Sequence, residues 1–80
     1  MKQIIIAPYE FVFIGEPAPP VREGFLTFTN ASCIRVWGTT KGLGEIALCG
    51  PTPKTILDPC GTLHVPQDKV ILIDCLYDND

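Results

Sequence analysis

The stretch TLHVPQDKVILID, residues 62–74, decides how this chain is read. A short strand candidate, Thr62 to Val65, meets a polar turn, PQD, and is followed by KVILIDCL (69–76), the strongest strand pattern in the sequence. Val, Ile and Leu in close succession suit a pleated, half-buried surface, and Pro and Asp mark the turn between the runs. A short strand, a tight turn and a closing strand at the end of a small β chain is similar to the way Sm-like barrels finish. The expected fold is therefore mainly β: a small SH3-like or Sm-like barrel with one short helix after the fourth strand.

Working towards the N-terminus, the other strand candidates are Ile4–Ile6, Tyr9–Ile14, Phe25–Thr29, Cys33–Trp37 and Thr55–Leu57. Gly15 is expected to end the second of these, and EPAPPVREG (16–24) to form a loop, because its three prolines cannot donate to a ladder. Asn30 should end the Phe25–Thr29 strand, and DPCG (58–61) should separate Thr55–Leu57 from Thr62–Val65. The only helical pattern starts near Thr40 or Lys41 and runs to Cys49, with Leu43, Ile46 and Ala47 on one face and Gly50–Pro51 as the stop. The polar tail YDND (77–80) is expected to fray.

At 80 residues the chain is read as a single domain, residues 1–80. A domain of this size has a thin core, yet 46% of its residues are hydrophobic, so part of the apolar surface is assigned to contacts between copies in a homo-oligomer. Cys33, Cys49, Cys60 and Cys75 form no CxxC pair and His64 is the only histidine, which argues against a metal site. No signal-peptide pattern and no membrane-length apolar run is present, so the thiols are read as reduced core residues of a cytoplasmic protein. The apolar neighbours of Cys49 and Cys75 predict burial for both.

The net charge of −3 is unevenly spread. Residues 31–57 carry Arg35, Lys41 and Lys54 against Glu45 alone, whereas residues 58–80 carry five aspartates against Lys69. The positive segment holds two glycine-, threonine- and lysine-bearing loops, GTTKG (38–42) and GPTPKT (50–55). Backbone N–H groups in such turns can cradle an anion, threonine hydroxyls can donate to phosphate oxygens, and lysine supplies charge. The candidate ligand-binding residues are Arg35, Trp37, Gly38, Thr39, Thr40, Lys41, Gly42, Thr52, Lys54 and Thr55. Trp37 would stack on a base, and Arg35 and Lys41 would balance phosphate charge. The loops match neither the Walker pattern nor GxGxxG. Each residue also has a plainer role: glycines for tight packing, Thr39 or Thr40 as a helix cap, Arg35 in an ion pair, Trp37 in the core.

No catalytic residue and no cofactor is assigned. His64 falls in mid-strand with no serine beside it, and an Asp58–Asp74 pair cannot be read from spacing. The acidic balance disfavours nucleic acid, leaving an Sm-like single-strand binder as the weakest alternative.

From Ile34 to Cys75, about half the chain, the motifs R-x-W-G-T-T-x-G-L-G-E, G-P-T-x-x-T-x-L-D-x-x-G and V-P-x-x-x-V-I stand in order. In these the chain resembles a family of small bacteriophage and prophage proteins. The resemblance implies a phage origin, action in the host bacterial cell and no established activity. The functional expectation is a non-enzymatic binding protein that sequesters a nucleotide-derived signal to counter host defence. The alternative is a structural or inhibitory interaction module with no small ligand.

Overall fold

The computed structural model describes residues 1–77. Its elements are β1 (Gln3–Ile6), a single 3-10 turn (Pro8–Glu10), β2 (Val12–Ala18), β3 (Phe25–Val36), α1 (Leu43–Cys49), β4 (Ile56–Pro66) and β5 (Ile71–Asp74). The five strands form one antiparallel sheet in the order β4-β3-β2-β1-β5. The fold is mainly β with one short helix, and the sheet is open, with β4 and β5 as its two edges. The helix follows the third strand rather than the fourth, because the expected strands Phe25–Thr29 and Cys33–Trp37 are one long strand, as are Thr55–Leu57 and Thr62–Val65 after the helix.

That merging has a common cause. Asn30 does not end β3; it takes a left-handed φ of 49° inside the strand, held by a 3.1 Å hydrogen bond from its side-chain amide to Glu16. Gly61, at φ 79°, lies opposite Ala31 in β4, where DPCG is part of the strand. β2 passes through Gly15 with a register shift between Ile14 and Glu16 and continues to Ala18, although it includes Pro17. A side chain at position 15 would sit 3.1 Å from the Ala31 Cβ, so glycine leaves room for β3 to pass closely. Three neighbouring strands thus bend along one line, and bulges sharpen such a bend.

The bend rolls the sheet. The distal halves, Phe25–Phe28 paired with Leu63–Pro66, arch over one face of β1 and β2. They enclose a core of Ile5, Phe28, Ala31 and Val65, flanked by Ala7, Phe13, Leu26, Leu63 and Val70. The other face carries Ile4, Val12, Ile14 and Ile34 and is covered by α1 through Leu43, Ile46 and Ala47. The alternation of Ile4 and Ile5 puts one isoleucine into each core, both fully buried. Both expected helix signals hold: the three apolar positions face inward, and Gly50, at φ 88°, donates to Ile46 O and ends the helix.

Three further expectations shift. The strand expected from Tyr9 begins at Val12, because Tyr9 and Glu10 both adopt φ 64° in the β1–β2 turn. Left-handed backbone costs a non-glycine residue roughly 1–2 kcal/mol, so this turn is held by the flanking ladder, including Ala7 N–H to Phe11 O at 2.7 Å. Cys75 is buried as expected, but Cys49 is exposed at the last position of α1. Tyr77 packs on the helix-side core; the rest of the tail expected to fray, residues 78–80, lies outside the described residues.

Candidate functional site

The two loops singled out in the sequence meet. β3 delivers Trp37 and Gly38 at its end, and the segment before β4 brings Thr52–Thr55 across them. Thr52 Oγ1 donates to Gly38 O at 2.6 Å, and Thr55 Oγ1 donates to Trp37 O at 2.6 Å. The second loop is itself a tight turn. Thr52 N–H donates to Thr55 Oγ1 at 2.9 Å, Thr55 N–H to Thr52 O at 3.0 Å, and Lys54 N–H to Thr52 Oγ1 at 3.1 Å. Gly38 has φ 65° and lies flat against this turn: a Cβ there would stand 2.5 Å from Lys54 O and 2.6 Å from Thr55 N.

The first loop is closed by the start of α1. Thr39 Oγ1 donates to Gly42 O at 3.0 Å. Neither Thr39 nor Thr40 caps the helix; the N-cap is Gly42, with no side-chain cap. Glu45 does comparable work from inside the helix. Its Oε1 accepts from Thr40 Oγ1 at 3.2 Å and from the Lys41 N–H at 3.1 Å. A carboxylate in the first helical turn also suits the helix dipole.

Gly38, Thr39, Thr40, Glu45, Thr52, Pro53 and Lys54 line an open depression of about 440 Å³. A second, of about 520 Å³, lies beside it and is lined by Lys41, Gly44, Glu45, Leu48 and Cys49. Glu45 borders both. It was not among the candidate residues, although its spacing from Thr40 and Lys41 is the signal that could have found it. Among the described residues the ammonium groups of Lys41 and Lys54 have no hydrogen-bonded or ionic partner. Trp37 is 43% exposed, with its ring close to Gly42.

Arg35 is set apart from this group. Its Nε donates to Asp58 Oδ2 at 2.8 Å and its Nη2 to Oδ1 at 3.3 Å, a two-pronged pair across β3 and β4. The hydrogen bond to Asp58 and then its charge hold the guanidinium pKa above its ordinary value. Asp74, at the other edge, accepts from Gln3 Nε2 at 2.8 Å, so the two aspartates serve different partners. His64 Nδ1 lies 3.0 Å from the hydroxyl of Thr27, a buried residue, and is a strand residue in a paired contact. Desolvation, with a smaller contribution from nearby Cys33, pushes the Cys60 thiol pKa up, which keeps it protonated and a weak nucleophile. Among the described residues no group of three or more His, Cys, Asp or Glu is placed to hold a metal ion. Among the described residues no helix is long and apolar enough to cross a membrane.

The joint between the loops predicts its own cost. Thr52→Val would remove the hydroxyl that Gly38 O and Lys54 N–H both use, leaving part-buried polar groups without a partner. We expect a loss of about 1–3 kcal/mol in urea unfolding. Thr40→Val, at an exposed residue whose hydroxyl reaches only Glu45, should change stability by less than about 0.5 kcal/mol. Equal effects at the two positions would refute the distinction.

Comparison of the chain with protein-family models, with curated proteins and with solved structures finds no match in any of the three.

Proposed function

We propose that this chain is a non-enzymatic interaction module that acts through its surface on protein chains, and that loops 38–42 and 50–55 are the scaffold of that surface. The observation that carries this reading is the direction of three hydroxyls. Thr39, Thr52 and Thr55 donate inward, to Gly42 O, Gly38 O and Trp37 O, and so are engaged in holding the loops. Arg35 is engaged by Asp58, and Glu45 sets a carboxylate at the mouth of the depression. A phosphate entering there would meet one carboxylate and one lysine, Lys54, and the hydroxyls would have to leave their carbonyls to bind it.

What the surface offers instead is apolar. Leu48, Ile71, Leu76, Trp37 and Val36 are all exposed. Single exposed apolar residues are ordinary, but several on so small a chain suit a protein contact. The same reading takes the rolled sheet as an SH3-like or Sm-like barrel left open between β4 and β5. With the motif resemblance, it places the protein in a phage or prophage, inhibiting or scaffolding a host protein in the bacterial cytoplasm.

A second reading keeps a small anionic ligand, the nucleotide-derived signal of a host defence system. The convergence of both loops on one depression, with Lys41, Lys54 and the Trp37 ring beside it, favours it. Native mass spectrometry against cyclic and linear nucleotides separates the two. The interaction-module reading expects the mass of the protein alone throughout, and no difference for a Lys41→Ala, Lys54→Ala double variant. A retained nucleotide that the double variant loses would overturn it and establish the sponge.

A further inference from the structure

Resting on the interaction-module reading, we propose that one partner is a second copy of this chain, docked edge to edge along β5 about a twofold axis through Leu72. The backbone hydrogen bonds fix which groups of β5 are free. Ala7 N–H donates to Phe11 O, so on its β2 side β1 uses residues 3, 5 and 7. Cys75 N–H donates to Lys2 O, so on its β5 side β1 uses residues 2, 4 and 6. Their partners Cys75, Ile73 and Ile71 therefore turn their peptide groups inward to β1. The N–H and C=O of Val70, Leu72 and Asp74 turn outward, onto the free edge of the sheet.

That edge is complementary to itself. In an antiparallel pair, residues directly opposite share a face, and a twofold axis normal to the sheet preserves faces, so a residue must stand opposite itself. With Leu72 opposite the partner's Leu72, Val70 falls opposite Asp74 in both directions. All three outward residues are then hydrogen-bonded. Shifting the axis to Ile71 would place Asp68 opposite Asp74, a like-charge contact that disfavours that register. In the Leu72 register Ile71 faces Ile73 on the helix side, and Ile71, now 63% exposed, becomes covered. Leu76, held beside the helix end by its N–H to Ala47 O, and Leu48 extend the apolar surface beside the seam.

The other edge is poorly suited. β4 contains Pro59, which has no N–H, and left-handed Gly61, and its ladder to β3 shifts register three times. β5 carries no proline and no lysine between Ile71 and Asp74 to blunt it. A foreign strand would satisfy the same edge, but only self-pairing fills two edges with one contact and uses the symmetry of Val70 and Asp74 about Leu72.

The test is sedimentation of the full chain from low to high micromolar concentration, with hydrogen exchange on the same samples. The wild type is expected to be a dimer, with amide protection at Leu72 rising as protein concentration rises. Leu72→Pro deletes an outward N–H and leaves the bonds to β1; Ile71→Lys charges the seam at an exposed site. Both are expected to be monomeric with unchanged circular dichroism, and if Leu72→Pro misfolds, Ile71→Lys decides alone. Thr62→Lys, on exposed β4, should remain a dimer. A wild type monomeric at every concentration overturns the seam, while the nucleotide experiment separately decides the parent reading. A dimer that survives Ile71→Lys, a loss of association in Thr62→Lys, or a ring larger than a dimer overturns the β5 twofold.

Discussion

Gly38→Val is expected to cost the chain a large share of its stability. The added Cβ would stand 2.5 Å from Lys54 O and 2.6 Å from Thr55 N, backbone atoms with no flexible end to swing aside. The backbone at 38 also has φ 65°, which a β-branched residue adopts only with strain. Together, steric displacement and left-handed strain come to about 3–5 kcal/mol. An 80-residue domain has a total stability of roughly 4–12 kcal/mol, so this change removes a large share of it. Thermal melting should show a fall of roughly 15–30 °C. Gly44→Ala is the matched control. Nothing lies within 4 Å of a Cβ there, the residue is inside α1, and alanine should raise stability by about 1 kcal/mol. A Gly38→Val protein that melts close to the wild type would mean the loops are not locked together, and would return their glycines and threonines to the ligand reading.

The two loops were legible in sequence because glycine, threonine and lysine recur in both; their meeting was legible only as a conjecture. What could not be read was where the hydroxyls point. Threonine beside a glycine turn can donate to a phosphate or to a carbonyl, and the choice depends on how close β3 and the turn before β4 approach. That approach is set by packing some distance away. The seven strand runs read from composition all overlap the five strands, and the α1 face was read fully. Composition failed at Asn30, at the DPCG segment and at Gly15, where turn-forming residues lie within strands instead of between them. Turn chemistry is local, but a bend shared by three neighbouring strands is a property of the sheet, and each residue alone reads as an end. Cys49 shows the same limit on a smaller scale: apolar neighbours one step away in a helix point in other directions.

The rolled half of the sheet carries the second large effect. Phe28 is 2% exposed and packs with Ile5, Ala31 and Val65 beneath the arch. Phe28→Ala should cost about 3–5 kcal/mol, the lost transfer energy of the ring plus the cavity it leaves. Phe11→Ala, at a residue 56% exposed whose ring stacks on Phe13, should cost only about 0.5–1.5 kcal/mol and shows what an aromatic contributes outside the arch. The shape of the urea curve matters as much as its midpoint. Two separate cores would suggest two unfolding steps, with the arch opening first and the helix layer persisting. The strands argue otherwise. β3 supplies Phe28 and Ala31 to one core and Ile34 to the other, and β4 supplies Val65 to one and packs Leu57 against the other. Ile4 and Ile5 are consecutive residues of β1. Neither core can lose its strands without disturbing the other, so Phe28→Ala should shift one cooperative transition to lower urea with its slope unchanged. A biphasic curve, with amides of residues 25–28 and 63–65 exchanging well before those of Ile4 and Ile46, would show instead that the arch is an independent lobe.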